Sequence, residues 1–175
     1  MRKLKLLLGS LLLVLAFKLT PITYNLEVTD LDRHVWKHDL LVFVLDNVAD
    51  SNDTVVINID SHGGVVLSTL DIVNSILKTE ATTISNIKTG AFSGGAVIAM
   101  STDYVTGEYY SSILFHKARY YSMSGRATIV DNLIVDKFIA EKVYPILTDK
   151  EIESFELGED VELTTEDLVN RIKNL

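Results

Sequence analysis

The fold of this chain is decided around residues 89–96, which read Thr-Gly-Ala-Phe-Ser-Gly-Gly-Ala. A β-branched run before this stretch predicts a strand at 82–87, and the small apolar residues after it predict a buried helix at 94–100. Ser93 therefore stands on a tight turn between a strand and a helix. A serine there is a candidate nucleophile, because glycine amides at a helix start can hold negative charge beside it.

Strands and helices alternate on both sides of this turn. The predicted strands are 22–28, 54–59, 82–87, 104–106 and 112–115, and the predicted helices are 30–48 with Asp30 as N-cap, 66–77, 94–100, 127–144, 149–155 and 165–173. This alternation indicates an α/β fold with a mainly parallel sheet and right-handed crossovers. In such sheets, ligands bind beyond the carboxyl ends of the strands.

Three features fall at predicted strand ends: the pair Gly63-Gly64, the serine turn and His116. Each has an ordinary structural role when taken alone, because serines cap helices, glycine pairs make turns and most histidines are structural. Together they provide the parts of acyl transfer. Ser93 is the candidate nucleophile, His116 the candidate base, and the amides of Gly64 and Gly94 are the candidate oxyanion donors.

The first twenty residues have the features of an export signal. Arg2, Lys3 and Lys5 form a basic start, and an uncharged apolar run follows at 6–17. That length is typical of a signal-peptide core and short for a membrane span, which needs about 20 residues. We expect residues 1–20 to be a signal peptide or a retained single-pass anchor. One extracytoplasmic domain over 21–175 would then be membrane-bound, or secreted or periplasmic if the signal is cleaved.

The bulk composition excludes several classes of function. The net charge is −8, and the first eighteen residues carry four basic side chains and no acid, so the remaining chain is strongly acidic. Such a chain does not suit nucleic acid. There is no cysteine, which excludes disulfides and thiolate metal sites. His34 and His38 share a helix face, yet no glutamate follows His34 as a zinc-protease motif requires. We expect neither a metal nor a cofactor.

Five segments resemble, in order, the proteolytic subunit of the Clp protease. They are residues 59–64 (Ile-Asp-Ser-His-Gly-Gly, similar to Ile-Asn-Ser-Pro-Gly-Gly), 93–96 (Ser-Gly-Gly-Ala, similar to the nucleophile turn Ser-Met-Gly-Ala), Phe115-His116 (similar to the strand end that carries the catalytic histidine), 125–128 (Gly-Arg-Ala-Thr, similar to Gly-Gln-Ala-Thr at the start of the handle helix) and 159–164 (Glu-Asp-Val-Glu-Leu-Thr, similar to Arg-Asp-Arg-Phe-Leu-Ser). The resemblance extends over residues 22 to 175, and the order and spacing of the segments make it specific.

The resemblance implies a fold and a reaction. The fold would consist of ClpP/crotonase-like stacked βαβ units with a mainly parallel sheet and a protruding handle helix. The reaction would be peptide-bond hydrolysis, with Ser93 as nucleophile, His116 as general base and Asp160 as the residue that orients the histidine. Asp167 is the fallback for Asp160. The family also forms stacked rings, and the apolar residues of the predicted helix 127–144 fit a homo-oligomer.

Some positions depart from the family pattern. His62 replaces the family's proline, and Asp60 replaces its asparagine. The family's usual subunit is cytosolic and is served by an ATP-driven unfoldase, whereas an exported domain would have neither ATP nor that partner. We therefore expect a membrane-tethered peptidase that acts on peptides or unfolded proteins without ATP.

Three alternatives remain. A signal-peptide-peptidase-A type would use a serine–lysine pair, with Lys137 or Lys142 as the base. A crotonase-like protein would bind or hydrolyse an acyl-CoA, because residues 88–96 also resemble that superfamily's glycine-rich turn. The third alternative is a pseudo-enzyme that serves in assembly or immunity. His116, which ends a strand where the Clp type has its histidine, favours the serine–histidine peptidase.

Overall fold

A computed structural model describes residues 20–31, 36–122, 127–130 and 132–175. The strands are β1 (Thr23–Val28), β2 (Thr54–Ser61), β3 (Thr82–Phe92), β4 (Tyr104–Gly107), β5 (Ser112–Phe115), β6 (Arg119–Tyr121), β7 (Ala127–Ile129) and β8 (Val161–Thr164). The α-helices are α1 (Trp36–Asn47), α2 (Val66–Lys78), α3 (Gly94–Ala99), α4 (Leu133–Lys142), α5 (Asp149–Glu156) and α6 (Thr165–Ile172), and Tyr144–Ile146 forms a 3₁₀ turn. The mainly parallel α/β fold predicted from the sequence is confirmed.

Six strands form the main sheet in the order β1-β2-β3-β5-β8, and β4 also pairs with β3. All neighbours are parallel except β5 and β8, which are antiparallel. The long strand β3 pairs with β2 and has two further partners, because residues 84–87 pair with β4 and residues 90–92 pair with β5. The carboxyl ends of β3 and β5 therefore lie side by side, and this arrangement brings the serine turn next to the histidine.

The core lies on one face of the sheet. Along β2, Val55, Ile57 and Ile59 are completely buried, whereas the residues between them are half-buried or exposed. This alternation has the period of two expected of a strand with one face in the core. Helix α3 is made of small buried residues, so it lies close against β2, β3 and β5. The short serine-turn helix is therefore held by core packing.

The prediction of one helix over 127–144 is wrong in its first part. The predicted length of the handle helix is therefore also wrong. Ala127–Ile129 is a strand that pairs antiparallel with β6, and the helix runs only from Leu133 to Lys142. Thr128, Ile129 and Val130 are β-branched and favour a strand. Asn132 then starts the helix, because its side chain accepts a hydrogen bond from the Val135 amide at 3.2 Å.

The predicted start of the first helix at Asp30 is also wrong. Leu31 forms an isolated parallel bridge with Gly64, and α1 begins at Trp36. The Asp30 carboxylate accepts a hydrogen bond from the His62 amide at 2.9 Å. The backbone at Leu31 therefore binds to the Gly63-Gly64 turn.

Several predictions fall outside the described residues. They concern the export signal at 1–19, His34, and the Gly125-Arg126 part of the handle motif. Within the ranges that the structure covers, helices are too short or too polar to pass through a bilayer.

Candidate active site

One cleft collects the residues that the sequence singled out. It has a volume of about 570 Å³, within the range of small-molecule and peptide sites, and its lining includes Ser93, His116, Gly64 and Gly94. Both candidate catalytic side chains are half-buried, so they are shielded yet open to a ligand. The remaining wall is mostly apolar, and part of it comes from α3, β5 and α4. It includes Val97, Phe115, Val135 and Ile139.

Ser93 has an unusual backbone conformation. Its φ of 55° and ψ of −118° make it the one non-glycine residue with positive φ in the described part of the chain. Its side chain makes no capping hydrogen bond to α3, so it does not act as an ordinary N-cap. The turn is held on the other side, because the Ser93 amide donates to the Leu114 carbonyl at 2.9 Å. Strain of this kind costs about 1–3 kcal/mol and is typical of functional turns.

The second glycine turn lies directly against Ser93. Gly63 has a φ of 94°, and a Cβ atom there would be 2.6 Å from the Ser93 Cβ and 2.9 Å from the Phe92 carbonyl oxygen. Only glycine permits both the backbone angle and this close approach. Gly64 is equally constrained, since a Cβ there would be 2.6 Å from the Leu31 carbonyl group.

Leu31 holds this glycine turn from the other side. Its amide donates to the Gly63 carbonyl at 2.7 Å, and its carbonyl accepts from the Val65 amide at 2.8 Å. The two hydrogen bonds involve the residues on either side of Gly64. Neither the Gly64 amide nor the Gly94 amide is used in a hydrogen bond to the described residues. Two free donors on converging turns beside a serine can hold an oxyanion.

His116 has a defined tautomer. Its Nδ1 atom lies 2.7 Å from the Lys117 carbonyl oxygen. Because a carbonyl oxygen only accepts, Nδ1 must carry the proton, and Nε2 of the neutral ring is then the proton acceptor. A histidine in this state is chemically ready to act as a general base.

Lys117 is itself anchored to α5. Its ammonium group donates to Glu156 at 2.9 Å, and Glu156 also accepts from the Tyr144 hydroxyl. The hydrogen bonds from Tyr144 and Lys117 hold the pKa of the Glu156 carboxyl below its usual range. Burial, together with Glu156, raises the pKa of the Tyr144 hydroxyl. These contacts fix the backbone that carries the carbonyl partner of His116.

Asp160 and His116 both flank the end of the β5–β8 pairing, but the Asp160 carboxylate is paired with Arg119. The antiparallel pairing of β5 with β8 ends at Phe115 and Val161, so His116 directly follows this last pair on one chain segment and Asp160 directly precedes it on the other. The Asp160 carboxylate nevertheless accepts from the Arg119 guanidinium group, which also donates to the Gly158 carbonyl at 3.4 Å.

The other candidate residues lie away from this cleft. Asp167 is in the first turn of α6, beyond the end of β8 that pairs with Ser112, so it is at the opposite end of β5 from His116. Lys137 is exposed and lies 3.7 Å from Glu141, and Lys142 is also exposed. The face of α4 that lines the cleft presents Val135 and Ile139 instead. This placement does not support a lysine base from α4.

Sequence reasoning did not find Arg119 or the Leu31 bridge. Arg119 and Asp160 are 41 residues apart, and no local pattern connects them. The antiparallel pairing of 161–164 with β5 would have been the useful signal, because it sets the acidic segment beside the histidine. The Leu31 bridge had no signal, because apolar spacing in 30–48 favours a helix throughout.

This fold and this cleft define a serine-type peptidase, with a serine on a strained strand-to-helix turn, a neighbouring histidine and two free glycine amides. The Clp protease family model matches residues 17–136, which include both glycine turns, Ser93 and His116. The chain therefore belongs to the Clp protease family. The match ends before Asp160.

Solved structures with the same fold include two variants of one membrane-bound protease. The 1510-N membrane-bound stomatin-specific protease, as a serine-to-alanine mutant, is 17% identical, with a TM-score of 0.65 over 86% of this chain and 75% of that chain. Its lysine-to-alanine mutant in complex with a substrate peptide is 20% identical, with a TM-score of 0.65 over 87% and 73% of the two chains.

ClpP1 from Listeria monocytogenes, as an asparagine-to-aspartate mutant, is 14% identical, with a TM-score of 0.62 over 85% of this chain and 86% of that chain. At these identities the likeness concerns the fold. No curated protein matches the chain in sequence.

Proposed function

We propose that this protein is a serine endopeptidase in which Ser93 is the nucleophile and His116 is the general base. The observation that carries the proposal is the positive-φ turn at Ser93, which lies beside two free glycine amides in a cleft that His116 also lines. A strained turn persists only where the surrounding structure enforces it. Here β5, through the Leu114 carbonyl, and Gly63, through close contact, both do so.

The reaction follows from these groups. Ser93 Oγ attacks the carbonyl carbon of the peptide bond, and its proton passes to Nε2 of His116. The amides of Gly64 and Gly94 stabilise the oxyanion that forms. His116 then returns the proton to the leaving nitrogen, the C–N bond breaks, and an acyl-enzyme remains. Water, activated by the same histidine, releases the acyl group and restores the serine.

Asp160 is the proposed orienting residue. Its position next to the Phe115–Val161 pair, which His116 also flanks, supports this role. A carboxylate on Nδ1 would stabilise the imidazolium that forms during the reaction, which a neutral carbonyl does less well. To take this role, Asp160 must exchange its Arg119 partner for His116.

The cleft wall supports a preference among peptide substrates. Val97, Phe115, Val135 and Ile139 present an apolar surface next to the serine. An apolar side chain beside the scissile bond would gain about 1.5–3 kcal/mol by burial against it. Cleavage next to apolar residues is the expected specificity.

The proposed setting is the outer side of a membrane. Residues 1–20 would anchor the domain 21–175 or direct its export, and hydrolysis there would proceed without ATP and without an unfoldase. Self-assembly is proposed from the surface around β7 and α4, where Ile129, Val130, Leu133 and Ile134 are 44% to 84% exposed. Large exposed apolar groups of this kind mark interaction surfaces.

A direct test compares peptide hydrolysis by the wild type and by a Ser93→Ala variant of the full chain. The variant should bind peptide with unchanged affinity and should lose about 10⁴–10⁶-fold in turnover. Tyr110→Phe, at an exposed position outside the cleft, is the control and should keep full turnover. Equal turnover by wild type and Ser93→Ala would refute the proposal.

A further inference from the structure

Arg119 is a charged residue of the cleft that the proposed mechanism does not use. It lies on β6, three positions after His116, and its side chain is 22% exposed. It lines the cleft and binds Asp160 at the same time. The proposed base and Arg119 therefore share one potential partner, the Asp160 carboxylate.

We propose that Arg119 is a positioning residue that withholds Asp160 from His116 and so keeps the peptidase below its full activity. This inference rests on the proposed function of Ser93 and His116. Three observations carry it: the β5–β8 pairing ends at Phe115 and Val161, directly before His116 and directly after Asp160; Arg119 forms an ion pair with Asp160; and His116 Nδ1 lies 2.7 Å from the Lys117 carbonyl oxygen. While Arg119 holds Asp160, His116 is oriented by a neutral carbonyl.

The ion pair has the right strength for an exchangeable contact. The Asp160 side chain is 45% exposed, so water competes for the carboxylate. An exposed ion pair of this kind favours the paired over the separated arrangement by only about two- to fivefold. Salt weakens such pairs, because exposed charges are screened within about 10 Å at 0.1 M ionic strength. Loss of the pair should therefore release Asp160 without disturbing the sheet.

The test measures the rate at which a fluorophosphonate labels Ser93 in the full chain at low and high salt. Arg119→Met should raise this rate about two- to fivefold at low salt. This factor equals the preference of Asp160 for the ion pair over the separated state. The wild type should approach the same rate at high salt, and the variant should show no further rise. Arg119→Lys keeps the charge and should behave like the wild type.

Two further variants distinguish release of Asp160 from a general change in charge. Lys88→Met removes a cation from another exposed pair, in which Lys88 Nζ lies 3.2 Å from Glu108, and it should leave the labelling rate unchanged. Asp160→Asn should slow labelling, and adding Arg119→Met to it should give no gain.

A wild-type rate that does not rise with salt, or an Asp160→Asn variant as fast as the wild type, would overturn the role of Arg119. The salt experiment needs no variant, so it remains decisive if Arg119→Met fails to fold. Labelled Ser93 in all these cases would leave the proposed function standing. No labelling of Ser93 in any variant would instead overturn the proposed function itself.

Discussion

The two sides of the cleft differ in what holds their reactive groups. On the serine side, the backbone fixes Ser93 and Gly63. Ser93 has a positive φ, and its amide donates a hydrogen bond to β5. Gly63 packs so closely against Ser93 that a side chain there would not fit. On the histidine side, His116 depends on a side-chain contact to the Lys117 carbonyl, and its expected partner Asp160 is in an exposed ion pair.

This difference shows how one cleft can combine rigidity with adjustability. The oxyanion donors must be in place before the reaction, because their value comes from preorganisation. Asp160, the proposed orienting residue, can exchange its partner at low cost, because an exposed pair contributes about 0–1 kcal/mol. The serine side should therefore respond to changes in backbone shape, and the histidine side to changes in charge and pH.

Removal of the base should have the largest effect. His116→Ala should lower turnover about 10⁴–10⁶-fold, because it removes the proposed acceptor of the Ser93 proton. Lys137→Ala and Lys142→Ala should each keep the wild-type rate, since both lysines are exposed on α4. The measurement is peptide hydrolysis at saturating substrate. A fully active His116→Ala variant with an inactive lysine variant would make the peptidase a serine–lysine type.

A change of backbone shape on the serine side should come next. Gly63→Ala would crowd Ser93 and the Phe92 carbonyl and should lower turnover about 10²–10³-fold, the loss typical of a damaged oxyanion site. Gly107→Ala is the matched control, because its Cβ would also lie 2.9 Å from a carbonyl oxygen, that of Ile87, but away from the cleft.

Both glycine variants should lose stability, so turnover is compared per folded molecule after a thermal unfolding measurement. If Gly107→Ala loses as much turnover as Gly63→Ala, the effect is general destabilisation and the serine side has no special rigidity.

A fall in pH should destabilise helices α5 and α6 before it destabilises the main sheet. Arg171 donates to Glu151 at 2.7 Å and lowers the pKa of that carboxyl from 4.5 to about 2. A lowered carboxyl pKa stabilises the folded state above pH 4.5, and this contribution is lost as the pH falls towards 2. The shift corresponds to roughly 1–3 kcal/mol at neutral pH for a partly exposed pair.

The check is hydrogen exchange of α5 and α6 against β2 and β3 between pH 6 and pH 3, corrected for intrinsic rates. Protection of the two helices should fall first. Arg171→Met should unfold a few degrees lower than the wild type at pH 7, and the gap should narrow in acid. If the difference in melting temperature between the wild type and Arg171→Met stays constant over this range, Glu151 does not contribute to the acid dependence of stability.

The sequence predicted the strands that lead to Ser93 and His116, but it did not predict the side-chain pairing near the histidine. Runs of β-branched residues marked β2 and β3, and glycines beside Ser93 marked its turn, because both signals are local. The pairing of residues 41 apart, such as Arg119 with Asp160, leaves no local pattern. In residues 127–144, apolar spacing suggested one helix, whereas β-branched residues and the Asn132 cap divide it into a strand and a helix.

The positive φ of Ser93 is a further property that the sequence alone did not contain. Serine at a strand-to-helix junction is usually an N-cap with extended backbone. Contact with Gly63 and the bond to the Leu114 carbonyl impose the other conformation, and both partners are distant in the chain.

The most direct measurement is to treat the folded full chain with a fluorophosphonate and map the label by peptide mass spectrometry. We expect Ser93 alone to carry the label in the wild type and His116→Ala to abolish it. An unlabelled Ser93 in folded protein, under conditions where a reference serine hydrolase reacts fully, would show that Ser93 is not the nucleophile.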